Sequence, residues 1–112
     1  MSKIKKGQCY YKAFKLLERL EGFFILCHGV CIGTGPYNKG KPMGHAWLEN
    51  ETVVIDGGTG VAVLKANYYK LGKVTDVERF TLEEAMKRAL TSKHYGPWNP
   101  KIYTAEKWLE EL

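Results

Sequence analysis

Between His45 and Asp56 the chain alternates, turns and alternates back, and this pattern constrains the fold more than any other stretch. Ala46 and Leu48 face one way and His45 and Glu49 the other, as successive side chains of a strand must. Asn50-Glu51 reads as a tight turn and Thr52 to Asp56 as the returning strand. Counting back from that turn brings His45 and Asp56 nearly opposite one another at the open end of a hairpin, within the span of neighbouring strands.

The flanking segments supply partners for the hairpin. Residues 8–21 read as a helix, because Tyr10, Ala13, Phe14, Leu17 and Leu20 recur on one stripe while Lys12, Lys15, Glu18 and Arg19 lie off it. Gly22 ends it. Phe23 to Gly33 reads as a buried strand, and the Gly-, Pro- and Asn-rich stretch Thr34 to Gly44 as a loop forming one rim of a cleft. Downstream, Val61 to Leu64 reads as a short strand. Tyr68, Tyr69 and Leu71 read as a further strand or a turn of helix, and Asp76 to Phe80 as a strand. Thr81 and Glu84 carry the spacing of a capping box, opening a helix that runs to about His94. Tyr95 to Pro100 breaks it, and Thr104 caps a last short helix with Trp108, Leu109 and Leu112. The architecture expected is α+β: an N-terminal helix on a small antiparallel sheet, with helices near the C-terminus, in a single domain spanning 1–112.

Composition narrows the classes. Hydrophobic residues at 45% and charged residues at 26% fit a soluble globular protein. The apolar run Phe23 to Cys27 is too short to span a bilayer, and no apolar stretch follows the basic start Lys3, Lys5, Lys6, so neither membrane nor export is expected and a cytoplasmic location is the default. Three cysteines argue against a disulfide framework. Cys27, His28 and Cys31 lack zinc spacing, because adjacent strand residues point to opposite faces and a fourth ligand is missing nearby, so no metal and no organic cofactor is expected. The net charge of +5 gathers partly on Lys3, Lys5, Lys6, Lys12 and Lys15; it reads first as a solvated face and second as a surface for anionic partners. Nucleic acid is such a partner in principle, but no nucleic-acid motif is present.

Chemistry gathers on three side chains. Cys27 and Cys31 sit in an apolar run and read as small core residues. Cys9 instead follows Gly7-Gln8 in the first turn of a helix, where unpaired N–H groups and the helix dipole favour a thiolate. His28 and His94 read as structural, His94 bonding the last carbonyls of its helix. His45 follows a glycine-rich loop, and Asp56 closes an apolar strand where a carboxylate is costly without a partner. A cysteine nucleophile, a histidine base and an orienting aspartate are the parts of acyl-transfer chemistry. Gly57-Gly58-Thr59-Gly60 resembles a phosphate loop only superficially and reads as close backbone packing. Trp47 is expected as a core aromatic on the strand face opposite His45, ahead of a supporting or substrate-stacking role. Tyr37, Lys39 and Lys41 are the loop candidates for substrate contact. Tyr95 and Trp98 cover either cleft or core, and Glu83, Glu84, Glu110 and Glu111 read as solvated helix charges.

Gly7-Gln8-Cys9 at a helix head, the strand His45-Ala46-Trp47-Leu48-Glu49, and Val54-Ile55-Asp56 ending the next strand together resemble the papain-like fold in its transglutaminase-like form. The resemblance covers about half of the chain, residues 7 to 58. It implies a Cys9–His45–Asp56 triad on a helix packed against an antiparallel sheet. Family domains are usually longer before the cysteine, where an oxyanion-hole side chain often resides, and their aspartate is commonly followed by proline. Here Gly57-Gly58 follows, and only eight residues precede the cysteine. The oxyanion donors expected are therefore the Cys9 backbone N–H and, more weakly, the Gln8 side chain.

The function expected is a small cysteine-dependent hydrolase or acyltransferase acting on an amide, thioester or isopeptide bond of a protein or peptide. The competing class is the same fold without activity, a basic module that captures a protein or nucleic acid through its lysines and the 34–44 loop. A peptidoglycan-active lysis enzyme, as in a small phage-like protein, is a third reading.

Overall fold

A computed structural model describes residues 8–20, 22–105 and 107–108. Gly7, Lys3, Lys5, Lys6, Leu109, Glu110, Glu111 and Leu112, all named above, lie outside the described residues. The described chain runs α1 (Gln8–Leu20), β1 (Ile25–Ile32), β2 (Pro42–Glu49), β3 (Val53–Asp56), β4 (Ala62–Leu64), α2 (Lys65–Gly72), β5 (Thr75–Phe80), α3 (Leu82–Ser92) and α4 (Pro100–Ala105).

The α1 stripe is buried at Tyr10, Ala13, Phe14 and Leu17. Burying a large apolar side chain stabilises by about 1.5–3 kcal/mol, against tenths for helix propensity, so packing rather than propensity holds α1 in place. The five strands form one antiparallel sheet in the order β4-β3-β2-β1-β5. Its centre is the β1–β2 pair, in register from Ile25 opposite Glu49 to Ile32 opposite Pro42. Leu26, Val30, Ala46 and Leu48 turn to one face and pack with α1, Ala85 of α3 and Ile102 of α4. Cys27, Trp47 and Val54 turn to the other and pack with Tyr68 and Tyr69 of α2. The sheet thus lies between α1, α3 and α4 on one side and α2 on the other.

Gly29 is where the second face needs a glycine. It lies opposite His45, and a Cβ there would come within 2.7 Å of the Trp47 ring. The 33–41 loop closes on itself, with Gly33 and Lys41 paired through Gly33 N–H to Lys41 O (2.8 Å) and Asn38 Oδ1 accepting the Gly35 N–H (2.8 Å). The Thr81–Glu84 capping box forms with both its bonds.

Of the two readings open for the segment holding Tyr68, Tyr69 and Leu71, it takes the helix. Three expectations need correction. The last described helix is Pro100–Ala105, so Thr104 lies inside it instead of capping a later one; Asn99, whose Oδ1 accepts the Lys101 N–H at 2.9 Å, stands before its first turn. The His94 ring accepts the Gly96 N–H (3.1 Å), while Ser92 Oγ donates to the Arg88 carbonyl (2.7 Å) in the role expected of His94.

The third concerns the hairpin. Asn50 N–H donates to the Val53 carbonyl (3.0 Å), and Asn50 Oδ1 accepts from the Thr52 and Val53 N–H groups (3.0 and 2.8 Å). The turn tip is therefore Glu51-Thr52, and Asp56 stands opposite Trp47 instead of His45. Asn50 has taken the tip one residue onward because its side chain caps the turn. The slip amounts to two residues in pairing, an even number, so Asp56 keeps the face it shares with His45.

Candidate active site

His45 lies on β2 two residues before Trp47, and the carboxylate of Asp56 reaches it diagonally across the β2–β3 pair. His45 Nε2 and Asp56 Oδ2 are 2.7 Å apart. Cys9, at the N-terminal end of α1, lies near enough to the ring to help raise the His45 pKa. With Nε2 committed to Asp56, Nδ1 is the nitrogen left for sulfur. The His45 and Asp56 side chains are 24% and 18% exposed, so solvent and small solutes reach them.

Gly57 brings α1 to this point. Its N–H donates to the Ala46 carbonyl (3.0 Å), and a Cβ there would fall 2.3 Å from that oxygen and 2.7 Å from the Cys9 carbonyl. Glycine thus lets the start of α1 lie directly on the end of β3. The close packing expected of the 57–60 turn is found here.

Both Asp56 oxygens are engaged. Oδ2 takes His45 and the Tyr68 hydroxyl (2.7 Å), and Oδ1 accepts the N–H groups of Gly58 (2.8 Å) and Thr59 (2.9 Å). Burial opposes the Asp56 charge, but the His45 bond and charge, the Tyr68 hydroxyl and the Thr59 N–H hold its carboxyl well below the usual range. Burial likewise opposes an imidazolium, yet hydrogen bonds to Asp56 and Cys9 outweigh it and raise His45 above its ordinary value. Both shifts favour the ion-paired form, imidazolium with carboxylate.

Trp47 is fully buried, as a core aromatic should be, but the expectation that it faces away from His45 is wrong: residues i and i+2 share a strand face, and the two rings stack with centroids 6.4 Å apart. Its indole N–H donates to Glu49 Oε1 (3.0 Å). Glu49, 2% exposed, also accepts from the Tyr69 hydroxyl, Lys65 Nζ (2.9 Å) and Arg79 Nε (3.0 Å). Burial alone would raise it; these partners bring it down to about 2. A buried carboxylate thus ties β2 to α2 and β5 and fixes the ring beneath His45.

A cleft of about 530 Å³ opens beside the dyad, lined by His45, Asp56, Tyr68, Met43 and Asn38 among others. The loop does supply a rim, through Thr34, Gly35 and Asn38. Tyr37, Lys39 and Lys41 are exposed and are not among the residues lining it. Gln8 is exposed at the head of α1.

Cys27 is buried and its thiol pushed far up by burial; Cys31, at the cleft wall, is pushed up to about 12 by burial and the nearby Asp56 and Cys9. His28 turns to the opposite face from Cys27, among Tyr10, Phe80 and Trp98. Tyr95 and Trp98 cover the core, against Phe14 and Phe80. Among the described residues no group of three or more His, Cys, Asp or Glu side chains is placed to hold a metal ion. No helix among them is long and apolar enough to cross a membrane.

Sequence reasoning missed Tyr68, Tyr69, Lys65 and Arg79 as supports of the site. The available signal was the pair of adjacent tyrosines in a segment with no clear apolar stripe. Compared with models of known protein families, with curated proteins and with solved structures, the chain gives no match.

Proposed function

We propose that this chain is a thiol-dependent acyl-transfer enzyme that cleaves or transfers an amide-type bond through Cys9, His45 and Asp56, in the manner of the papain-like, transglutaminase-like hydrolases. The observation that carries the reading is the 2.7 Å bond between His45 and Asp56, with Cys9 at the head of α1 close enough to act on the same imidazole. Cys9 Sγ attacks the substrate carbonyl carbon while its proton resides on His45. The tetrahedral intermediate collapses as His45 gives that proton to the leaving amine, and a thioester remains on Cys9. Water or an amine then attacks the thioester, loses a proton to His45 and releases the sulfur. Asp56 stays ionised throughout, fixing the ring and favouring its cationic form. The Cys9 N–H is the oxyanion donor in this scheme, with Gln8 able to reach from the exposed helix head.

Iodoacetamide labelling tests it. At mildly acidic pH, Cys9 is expected to alkylate ahead of Cys27 and Cys31, and His45→Ala is expected to slow Cys9 by roughly tenfold or more, because the imidazolium that favours thiolate is gone. Mass spectrometry of the labelled peptides reads both. Equal labelling of the three cysteines, or no effect of His45→Ala, would leave the basic binding module as the better reading.

A further inference from the structure

We propose that the substrate is a peptide-like amide that straddles the dyad, with an apolar side chain in the cleft on one side of Asp56 and an acidic group in a lysine groove on the other. The inference rests on the acyl-transfer reading and names the substrate class for the same site.

Asp56 borders two depressions. The first is the cleft of about 530 Å³, whose walls include Ile32, Met43, Val63 and Leu71. Leu71 is 73% exposed and Val63 36%, aliphatic surface left in water at the rim of the cleft. The one charged carboxylate lining the cleft is Asp56, and both its oxygens are already taken, so it offers little to a cationic ligand. The aliphatic wall of Ile32, Met43, Val63 and Leu71 favours an apolar substituent, with Thr34, Asn38, Asn67 and Tyr68 adding polar groups beside it, and the volume suits a single large side chain with adjoining backbone.

The second depression, of about 310 Å³, runs along the exposed side of α1. Lys12, Lys15 and Arg19 face Gly58, Thr59 and Gly60 across it. Lys12 Nζ lies 3.5 Å from the Gly58 carbonyl, and Lys15 pairs with Glu18 (3.3 Å). Among the described residues Lys12 and Arg19 meet no acidic side chain. Such a groove attracts a carboxylate. A nucleic acid would satisfy the lysines but leave the apolar cleft without a use; a peptide carrying both features satisfies each side, and the bond between them lies over His45.

The test uses the full chain and peptides carrying a chloroacetamide on a central residue, so that Cys9 forms a carbon–sulfur bond and chloride leaves. The flanks are Leu or Ser on one side and Glu or Lys on the other, in both chain directions. Cys9 alkylation rates are divided by the rate with plain chloroacetamide. In one chain direction, Leu is expected to beat Ser by roughly tenfold and Glu to beat Lys by roughly threefold for each groove cation engaged. The surface changes Lys12→Glu and Arg19→Glu are expected to reverse the charge preference, and Leu71→Asp to erase the preference for Leu. Equal rates for all peptides overturn the inference while the acyl-transfer reading stands. Failure of His45→Ala to slow the plain reagent overturns that reading instead. Preferences that survive all three surface changes place the substrate elsewhere and also overturn the inference.

Discussion

At the scale of single residues, the site depends on how Asp56 is held. Its charge is stabilised by His45, by the Tyr68 hydroxyl and by backbone N–H groups, and it favours the protonated form of His45 in return. The linkage signs follow. Asp56, depressed on folding, contributes stability that is present above its unfolded pKa and lost as pH falls through the folded value. His45, raised on folding, contributes stability that is complete below its unfolded pKa and lost as pH rises through the folded value. Both contributions are complete together only between roughly pH 4 and 6.5, the two unfolded values. Asp56→Asn should flatten this maximum in urea midpoints measured against pH and, on the proposed acyl-transfer reading, lower turnover by roughly 10²–10⁴-fold through loss of the oriented base. Tyr68→Phe is the milder change. Asp56 retains its other partners, so the expected cost is about 1 kcal/mol of stability, with Cys9 alkylation kept within a few-fold of the parent. A Tyr68→Phe chain as slow as Asp56→Asn would show that the hydroxyl, and not the carboxylate charge, positions His45.

At the scale of elements, two contacts set where the parts meet. Gly57 seats α1 on the end of β3. Gly57→Ala must push the helix start away, since oxygen atoms cannot sit 2.3 and 2.7 Å from a methyl carbon. Cys9 should then lose the enhanced alkylation at acidic pH that the acyl-transfer reading expects, while α1, held by its buried stripe, keeps its helical circular dichroism. Glu49 sets the second contact. Glu49→Ala leaves Lys65, Arg79, the Tyr69 hydroxyl and the Trp47 indole without their acceptor, and the expected loss is about 1–3 kcal/mol in urea unfolding, because the two cations are part-exposed and can turn to water. A loss under 1 kcal/mol would mean that the four donors find water without strain. These elements also show what a sequence can reveal. The α1 stripe, the Thr81–Glu84 box and the His45/Asp56 pairing on one hairpin are local patterns with fixed periods, and they were legible. The hairpin tip was misplaced because the Asn50 side chain, not the strand pattern, chooses it. The clamp on Glu49 was invisible because its donors come from Lys65, Tyr69 and Arg79, elements whose approach is set by tertiary packing. The face of Trp47 was legible from its i+2 spacing to His45 and was misjudged.

At the scale of the whole molecule, His28 sits where the layers join, and its burial is expected to make the fold acid-sensitive. Its ring is fully buried among Tyr10 of α1, Phe80 of β5 and Trp98 of the segment before α4. Among the described residues neither ring nitrogen has a hydrogen-bond partner. Glu78 stands opposite it on β5, yet burial is the cause that lowers His28 to about 3. The unfolded chain therefore binds a proton near pH 6.5 that the folded chain refuses until about pH 3. The sign is that of a depressed group: stability is complete above pH 6.5 and drains as pH falls, by about 3 kcal/mol at pH 4. This opposes the acidic side of the window set by His45 and Asp56. His28→Leu keeps an apolar side chain of similar reach and removes two unpaired nitrogens, so stability at pH 7 should be unchanged or higher. Its urea midpoint should then fall less steeply than the parent's between pH 6.5 and 4. Parallel losses in the two chains would mean that the ring already finds a proton acceptor in the folded state, and that acid sensitivity arises from the carboxylates alone.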